Sequence, residues 1–188
     1  VYYENLIIQK SITLASNAIY DDLSDWVLNA GEYYINNENI LNTRIDGSND
    51  TNGENFESTI LINSPDDECI YPIIFGFTIT GGNGTLVPYV DEEGNELEET
   101  RGGGFLSVDA LPTFNYNFIK ENNGDIKDGG GGDQTSGVDI PTHPDYTWGS
   151  SRLECDGELD LSYNFYRDND ALYGNTLSTN GFAGSIDM

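Results

Sequence analysis

A chain of 188 residues and 20.7 kDa fits one domain, and 7 Lys+Arg against 33 Asp+Glu give a net charge of −26 and a pI near 4.1. A hydrophobic share of 37%, with 12% of the chain aromatic, is lean but enough for a core, which argues against wholesale disorder. No apolar run is long enough to span a bilayer, and the acidity repels phosphate backbones and anionic headgroups, so neither membrane insertion nor nucleic-acid binding is expected.

The chain opens at Val1 in a strand-like pattern, with neither an initiator Met nor the charged and apolar regions of a signal peptide. It stops at Met188 in a similar alternation, so residues 1–188 read as a single-domain segment of a larger protein. Short runs rich in β-branched and aromatic residues, bounded by Asn, Asp, Gly and Pro, predict strands at 6–8, 11–14, 59–62, 73–80, 104–108, 113–119, 159–166 and 175–178. Helical periodicity is nearly absent. Residues 22–30, with Leu23, Trp26, Val27 and Leu28, make too narrow a stripe and read as a loop excursion or one helical turn. The fold class is therefore all-β.

Three segments superpose. Phe77-Thr78-Ile79-Thr80-Gly81-Gly82-Asn83-Gly84 aligns with Asn117-Phe118-Ile119-Lys120-Glu121-Asn122-Asn123-Gly124, and both align with Asn164-Phe165-Tyr166-Arg167-Asp168-Asn169-Asp170-Ala171. Glycine runs, Gly102 to Gly104 and Gly129 to Gly132, recur between them. A strand, turn, glycine-run and strand unit that cannot bury its inward residues alone predicts a solenoid, with Ile79, Ile119 and Tyr166 in one continuous interior. Asn suits the corners, where it tolerates left-handed backbone and can hydrogen-bond from one coil to the next. The offsets of 40 (79 to 119) and 47 (119 to 166) exceed a compact coil, which predicts insertions at 86–100, an acidic hairpin, and at 133–150, rich in Pro, Thr and Ser.

Tyr2-Tyr3-Glu4-Asn5-Leu6 with Ile12-Thr13-Leu14, Arg44-Ile45-Asp46-Gly47, Gly76-Phe77-Thr78-Ile79, Gly102-Gly103-Gly104-Phe105 and Pro112-Thr113-Phe114-Asn115-Tyr116-Asn117 resemble successive coils of bacterial right-handed parallel β-helix repeat proteins of the pectate-lyase-like superfamily. Phe114-Asn115-Tyr116-Asn117 also resembles the Phe-x-x-Asn repeats of polymorphic outer-membrane adhesins. The likeness covers most of the chain and implies a right-handed parallel β-helix. It identifies fold rather than chemistry, because that fold carries lyases, hydrolases, adhesins and phage tailspikes.

A lyase needs a cationic base and charge neutralisation, yet Lys10, Arg44, Arg101, Lys120, Lys127, Arg152 and Arg167 form no local cluster. Lys120 and Arg167 share a place in the repeat and are read first as solvated turn residues. A hydrolase needs two carboxylates across the scissile bond, and acid pairs here are too many to single one out. His143, between Pro141 and Pro144, is read as a loop residue, and one histidine with Cys69 and Cys155 makes no zinc set. Spacing alone does not decide between a disulfide of the two cysteines and two buried thiols.

Calcium is the metal that an acidic, oxygen-rich chain would take. The stretch from Asp46 through Asp50, Asn52 and Glu57 has the oxygen spacing of a calcium loop, although Thr51 stands where such a loop needs Gly and no helices flank it, so an ordinary Asn/Asp-rich turn is the alternative. Trp26, Tyr146 and Trp148, among polar neighbours, are candidates for stacking on sugars, against the alternative that they cap the core. The expectation is a secreted or cell-surface structural or adhesive module, extracellular, glycan-binding and calcium-stabilised. Two alternatives are a carbohydrate-active enzyme, polysaccharide lyase or glycoside hydrolase, and a filament subunit binding copies of itself end to end.

Overall fold

The computed structural model describes residues 1–48, 56–64, 69–90, 94–108, 110–124, 133–136, 159–171, 177–179 and 186–187. Among them the chain is all-β, apart from a 3-10 helix at Asn17–Tyr20 and one short α-helix at Glu38–Asn42. Three sheets of five strands each carry the architecture.

The first sheet is built from Tyr2–Tyr3, Arg44–Asp46, Thr78–Thr80, Phe118–Lys120 and Phe165–Arg167, in that order. The second takes Leu6–Ile8, Ile60–Asn63, Phe105–Val108, Asp133–Ser136 and Leu177–Thr179. The third takes Thr13–Ala15, Ile73–Phe75, Thr113–Asn115, Leu159–Asp160 and Ile186–Asp187. Every neighbouring pair in these sheets is parallel. The chain visits first, second and third sheet in fixed rotation, so each circuit adds one strand to each. Parallel strands need a long crossover, and here the passage through the other two sheets supplies it.

The register is the one the sequence repeat predicts: Ile79 lies opposite Ile119, Ile119 opposite Tyr166, and Lys120 opposite Arg167. Beyond the corner Asn123 pairs with Asp170 and Gly124 with Ala171. Strand alternation then turns one side chain in two inward. Ile45, Ile79 and Ile119 from the first sheet meet Ile60, Ile62 and Phe105 from the second and Ile74 and Phe114 from the third in one buried cluster. At its centre the Phe105 and Phe114 rings stack at 4.0 Å and 13°.

The spans 73–80, 113–119 and 159–166 are not single strands, as the sequence suggested, but pairs of strands broken at a corner. The bend falls at Gly76, Tyr116 and Tyr163, whose φ values are 78°, 59° and 60°. A second set of bends sits at Gly81, Glu121 and Asp168, with φ of 77°, 53° and 54°. The left-handed residue is thus the one before each corner Asn, not the Asn itself.

Two excursions leave this frame. Residues 16–43 carry both helices and an antiparallel hairpin, Val27–Asn29 with Tyr33–Ile35. The predicted loop at 22–30 therefore ends in a strand, and the helices stand on either side of it. Asn37 caps the α-helix by accepting from the Ile40 amide at 2.9 Å, and Ser16 caps the 3-10 helix by accepting from Ala18 at 3.1 Å. The second excursion is a hairpin, Gly84–Val90 against Glu96–Arg101, with Phe56–Glu57 alongside Gly84 and Thr85. Of the stretch read as an insertion at 133–150, Asp133–Ser136 is a second-sheet strand, and the rest lies outside the described residues. Cys69 is disulfide-bonded, which closes the question the sequence left open at that residue.

Candidate functional site

The corners on either side of the first sheet bring polar side chains from successive circuits into columns. Leading into the sheet, the Asn117 amide nitrogen and its Nδ2 both donate to Asn164 Oδ1, at 3.0 and 3.1 Å, across 47 residues of chain. The Phe77 amide donates to Asn117 Oδ1 at 3.0 Å, 40 residues away, and Asn117 Nδ2 also donates to the Ile74 carbonyl at 3.0 Å. Leading out of the sheet the scheme repeats. The Asn122 amide and Nδ2 donate to Asn169 Oδ1, both at 3.1 Å, and the Gly82 amide donates to Asn122 Oδ1 at 3.1 Å.

Asn117 and Asn122 thus each accept from the circuit before and donate to a backbone carbonyl of that circuit and to the next Asn. The compact amide of Asn offers donors and an acceptor side by side on one planar group. Asn117 and Asn122 are buried, so these bonds replace water that the corner backbone would otherwise need. Close packing accompanies the ladders: a Cβ added at Gly82 would lie 1.9 Å from the Gly103 carbonyl oxygen.

An aromatic column flanks the first ladder. Tyr116 and Tyr163 stack at 4.9 Å and 7°, and Tyr116 meets Trp26 edge-on at 5.8 Å and Phe75 at 5.3 Å. Tyr33 approaches Phe165 at 6.2 Å, and Phe165 approaches Phe118 at 5.7 Å. Ala18, Trp26, Ile35 and Ile40 of the first excursion form a second core with Phe118. Burial and then the neighbouring Tyr163 push the Tyr116 phenol up.

Trp26 is 8% exposed and belongs to that core, as the core-capping alternative holds. Tyr146 and Trp148 lie outside the described residues, as does His143. Sequence reasoning missed Tyr116 and Tyr163 as a pair. Their common place, two residues before Phe118 and two before Phe165, gains its meaning only once the corner is known to fall there.

Asp46 is buried, and both its oxygens are engaged: Oδ1 accepts from the Ser48 amide at 3.1 Å and Oδ2 pairs with Arg44. Burial opposes the charge, but the Ser48 hydrogen bonds and the Arg44 guanidinium together outweigh it and hold the carboxyl below the usual carboxylate value. Asp50 and Asn52 lie outside the described residues, and Glu57 sits in a short strand paired with Gly84. Among the described residues no three His, Cys, Asp or Glu side chains gather as a metal site.

Lys120 and Arg167 do stand side by side in the first sheet. Each pairs with the acid that follows it, Lys120 with Glu121 at 3.1 Å and Arg167 with Asp168 at 3.2 Å. Two adjacent cations, each already neutralised within its own corner, present no concentrated positive field to an acidic sugar.

The chain matches no family model, no curated protein and no solved structure. No helix among the described residues is long and apolar enough to cross a membrane. What remains is the geometry itself: a repetitive, ladder-bonded frame with an aromatic corner.

Proposed function

We propose that the circuits are coils of a right-handed parallel β-helix, and that the chain is a structural and adhesive module of a secreted or cell-surface protein that binds glycans and is stabilised by calcium. The observation that supports this reading is the unvarying rotation of the chain through three parallel sheets, tied at the corners by asparagine ladders. Such a frame is quasi-one-dimensional: each circuit rests on its neighbours and offers a long outer surface. The handedness and the extracellular setting come from the resemblance of the coil motifs to β-helix repeat proteins. Calcium follows from the charge of −26, which would otherwise repel itself in a compact state.

A polysaccharide panel, scored at once for retention and for new reducing ends or unsaturated products, tests the role. Retention without turnover is the expected result. Turnover that disappears in Lys120→Ala, Arg167→Ala or a carboxylate variant would replace the module by a lyase or hydrolase. A thermal melt in EDTA against millimolar calcium tests the metal: binding to the folded state at about a hundred times Kd stabilises by about 2.7 kcal/mol, and an unchanged melt would remove calcium from the proposal.

A further inference from the structure

We propose that the chain assembles head to tail with copies of itself, the last circuit of one copy stacking on the first circuit of the next. The inference needs only the three parallel sheets and is independent of glycan binding.

At one end of the frame Tyr2–Tyr3, Leu6–Ile8 and Thr13–Ala15 are the outermost strands of the three sheets, and Phe165–Arg167, Leu177–Thr179 and Ile186–Asp187 are outermost at the other. Both ends are thus complete circuits, with one strand edge in each sheet and, among the described residues, no strand beyond it. The buried columns of the core run out into the first end. Ile119, Ile79 and Ile45 lead to Tyr2, Phe105 and Ile60 lead to Leu6, and Phe114 and Ile74 lead to Leu14. The isoleucines of the first column are at most 2% exposed, whereas Tyr2 at its head is 59% exposed. Tyr2, Leu6 and Leu14, with Ile45 and Phe77, line a cavity of about 430 Å³. Strand edges are ordinarily blunted by charge, by proline or by a covering element. The three strands at this end hold neither a charged residue nor a proline.

The pattern of this end fixes what fits it. Three parallel edges around an apolar hollow match another circuit of the same kind, and the opposite end of the chain presents one with its strands in the same order. The joint therefore continues an interface already repeated between every pair of circuits. Carrying the register on by one circuit places Tyr2 of one copy opposite Tyr166 of another, and Tyr3 opposite Arg167. Asn5 stands two residues past Tyr3, as Asn122 stands past Lys120 and Asn169 past Arg167. In both ladder steps an amide of the earlier circuit donates to the Asn Oδ1 of the later one, so the joint brings the Asn169 amide to the Asn5 side chain. Such a contact is heterologous and leaves a free end on each copy, so it propagates as a filament instead of closing as a dimer. Glu4 then meets Asp168 and each copy carries a charge of −26, so the joint strengthens as salt screens that repulsion.

The test is sedimentation velocity and negative-stain electron microscopy of the full chain, from micromolar to millimolar concentration, in low and in high salt. Tyr2→Lys puts a charge at the head of the core column, and Tyr20→Lys puts the same charge on an exposed tyrosine of the first excursion. Tyr3→Lys sets a like charge against Arg167 across the joint, and Arg167→Glu added to it makes the pair opposite. Tyr3 and Arg167 lie in the first and last strands of the sheet, so one copy cannot bring them together. Tyr2 and Tyr3 are both more than half exposed, so melting temperatures should stay at the parent's value. The expected result is end-to-end oligomers that lengthen with concentration and salt, association at least tenfold weaker in Tyr2→Lys and in Tyr3→Lys, recovery in Tyr3→Lys with Arg167→Glu, and Tyr20→Lys equal to the parent. A parent chain that stays monomeric at millimolar concentration in high salt would overturn the inference and leave the hollow to another occupant. Growth that stops at a dimer, Tyr2→Lys assembling like the parent, or Tyr3→Lys not recovered by Arg167→Glu would each overturn the head-to-tail joint.

Discussion

Replacing Asn117 by Ala removes the centre of the first ladder. Two buried backbone groups lose their partner: the Phe77 amide, which donates to Oδ1 at 3.0 Å, and the Ile74 carbonyl, which accepts from Nδ2 at 3.0 Å. The bond to Asn164 Oδ1 from the Asn117 amide survives, because it is backbone. A buried group left unsatisfied costs about 1–3 kcal/mol. Two such groups, with some relaxation, put the loss at about 3 kcal/mol, or roughly 6–12 °C in melting temperature for a chain of this size. Asn117→Asp should be worse, since it turns an oxygen toward both the Ile74 carbonyl and Asn164 Oδ1. Urea and thermal unfolding give the magnitude, and hydrogen exchange at the Phe77 amide gives the location, with protection lost there first. An Asn117→Ala chain within about 0.5 kcal/mol of the parent, the range of an ordinary surface change, with Phe77 still protected, would refute the claim that the ladder holds the circuits together.

Four further outcomes follow from the same geometry. Gly82→Ala should lower the melting temperature by more than Asn117→Ala, because the new Cβ overlaps the Gly103 carbonyl, an acceptor already bound to the Thr59 amide at 3.0 Å. Trp26→Ala should destabilise by about 3–5 kcal/mol as a buried large-to-small change, and urea melts with a loss under 1 kcal/mol would show that the second core adds little. Asp46 and Asp160 both lie below the ordinary carboxylate value of 3.8; for each, burial is the largest influence but hydrogen bonds outweigh it. Their contribution is therefore complete above the ordinary value and lost as pH falls through the depressed ones, so the melting difference between the parent and Asp46→Asn should be level at neutral pH and close as the solution is made more acidic than the ordinary carboxylate value of 3.8. Denatured but unreduced protein should take up no alkylating reagent at Cys69, where the bond is a disulfide, and labelling there would contradict that bond.

The repeat register was legible because it is carried by residues with few substitutes: an apolar triplet, then Asn or Gly at the two corner places. The breaks inside the long strands were not, because Tyr116 and Tyr163 hold a conformation that glycine usually marks, and tyrosine otherwise favours strands. The helix at Glu38–Asn42 is too short for any periodicity, although Asn37 followed by Glu38 and Ile40 carries a capping signal that a search for starts rather than stripes would have found. For Trp26 the sequence left sugar stacking and core-capping both open, because its partner Tyr116 comes from a distant circuit. Asp133–Ser136 was hidden by composition: Asp, Gln, Thr and Ser make a strand there only because Phe105–Val108 and Leu177–Thr179 flank it. Of the residues that read as a calcium loop, Asp46 has both oxygens engaged at the corner, by the Ser48 amide and by Arg44.

The stacking of circuits is tested most directly by scalar couplings across hydrogen bonds in an isotope-labelled sample. The Phe118 amide donates to the Phe77 carbonyl at 2.8 Å and the Phe165 amide to the Asn117 carbonyl at 2.9 Å, which link three successive circuits in one row. Couplings from Phe118 nitrogen to Phe77 carbonyl carbon and from Phe165 nitrogen to Asn117 carbonyl carbon are the predicted result. Couplings from the same amides to partners in an antiparallel register would contradict the account.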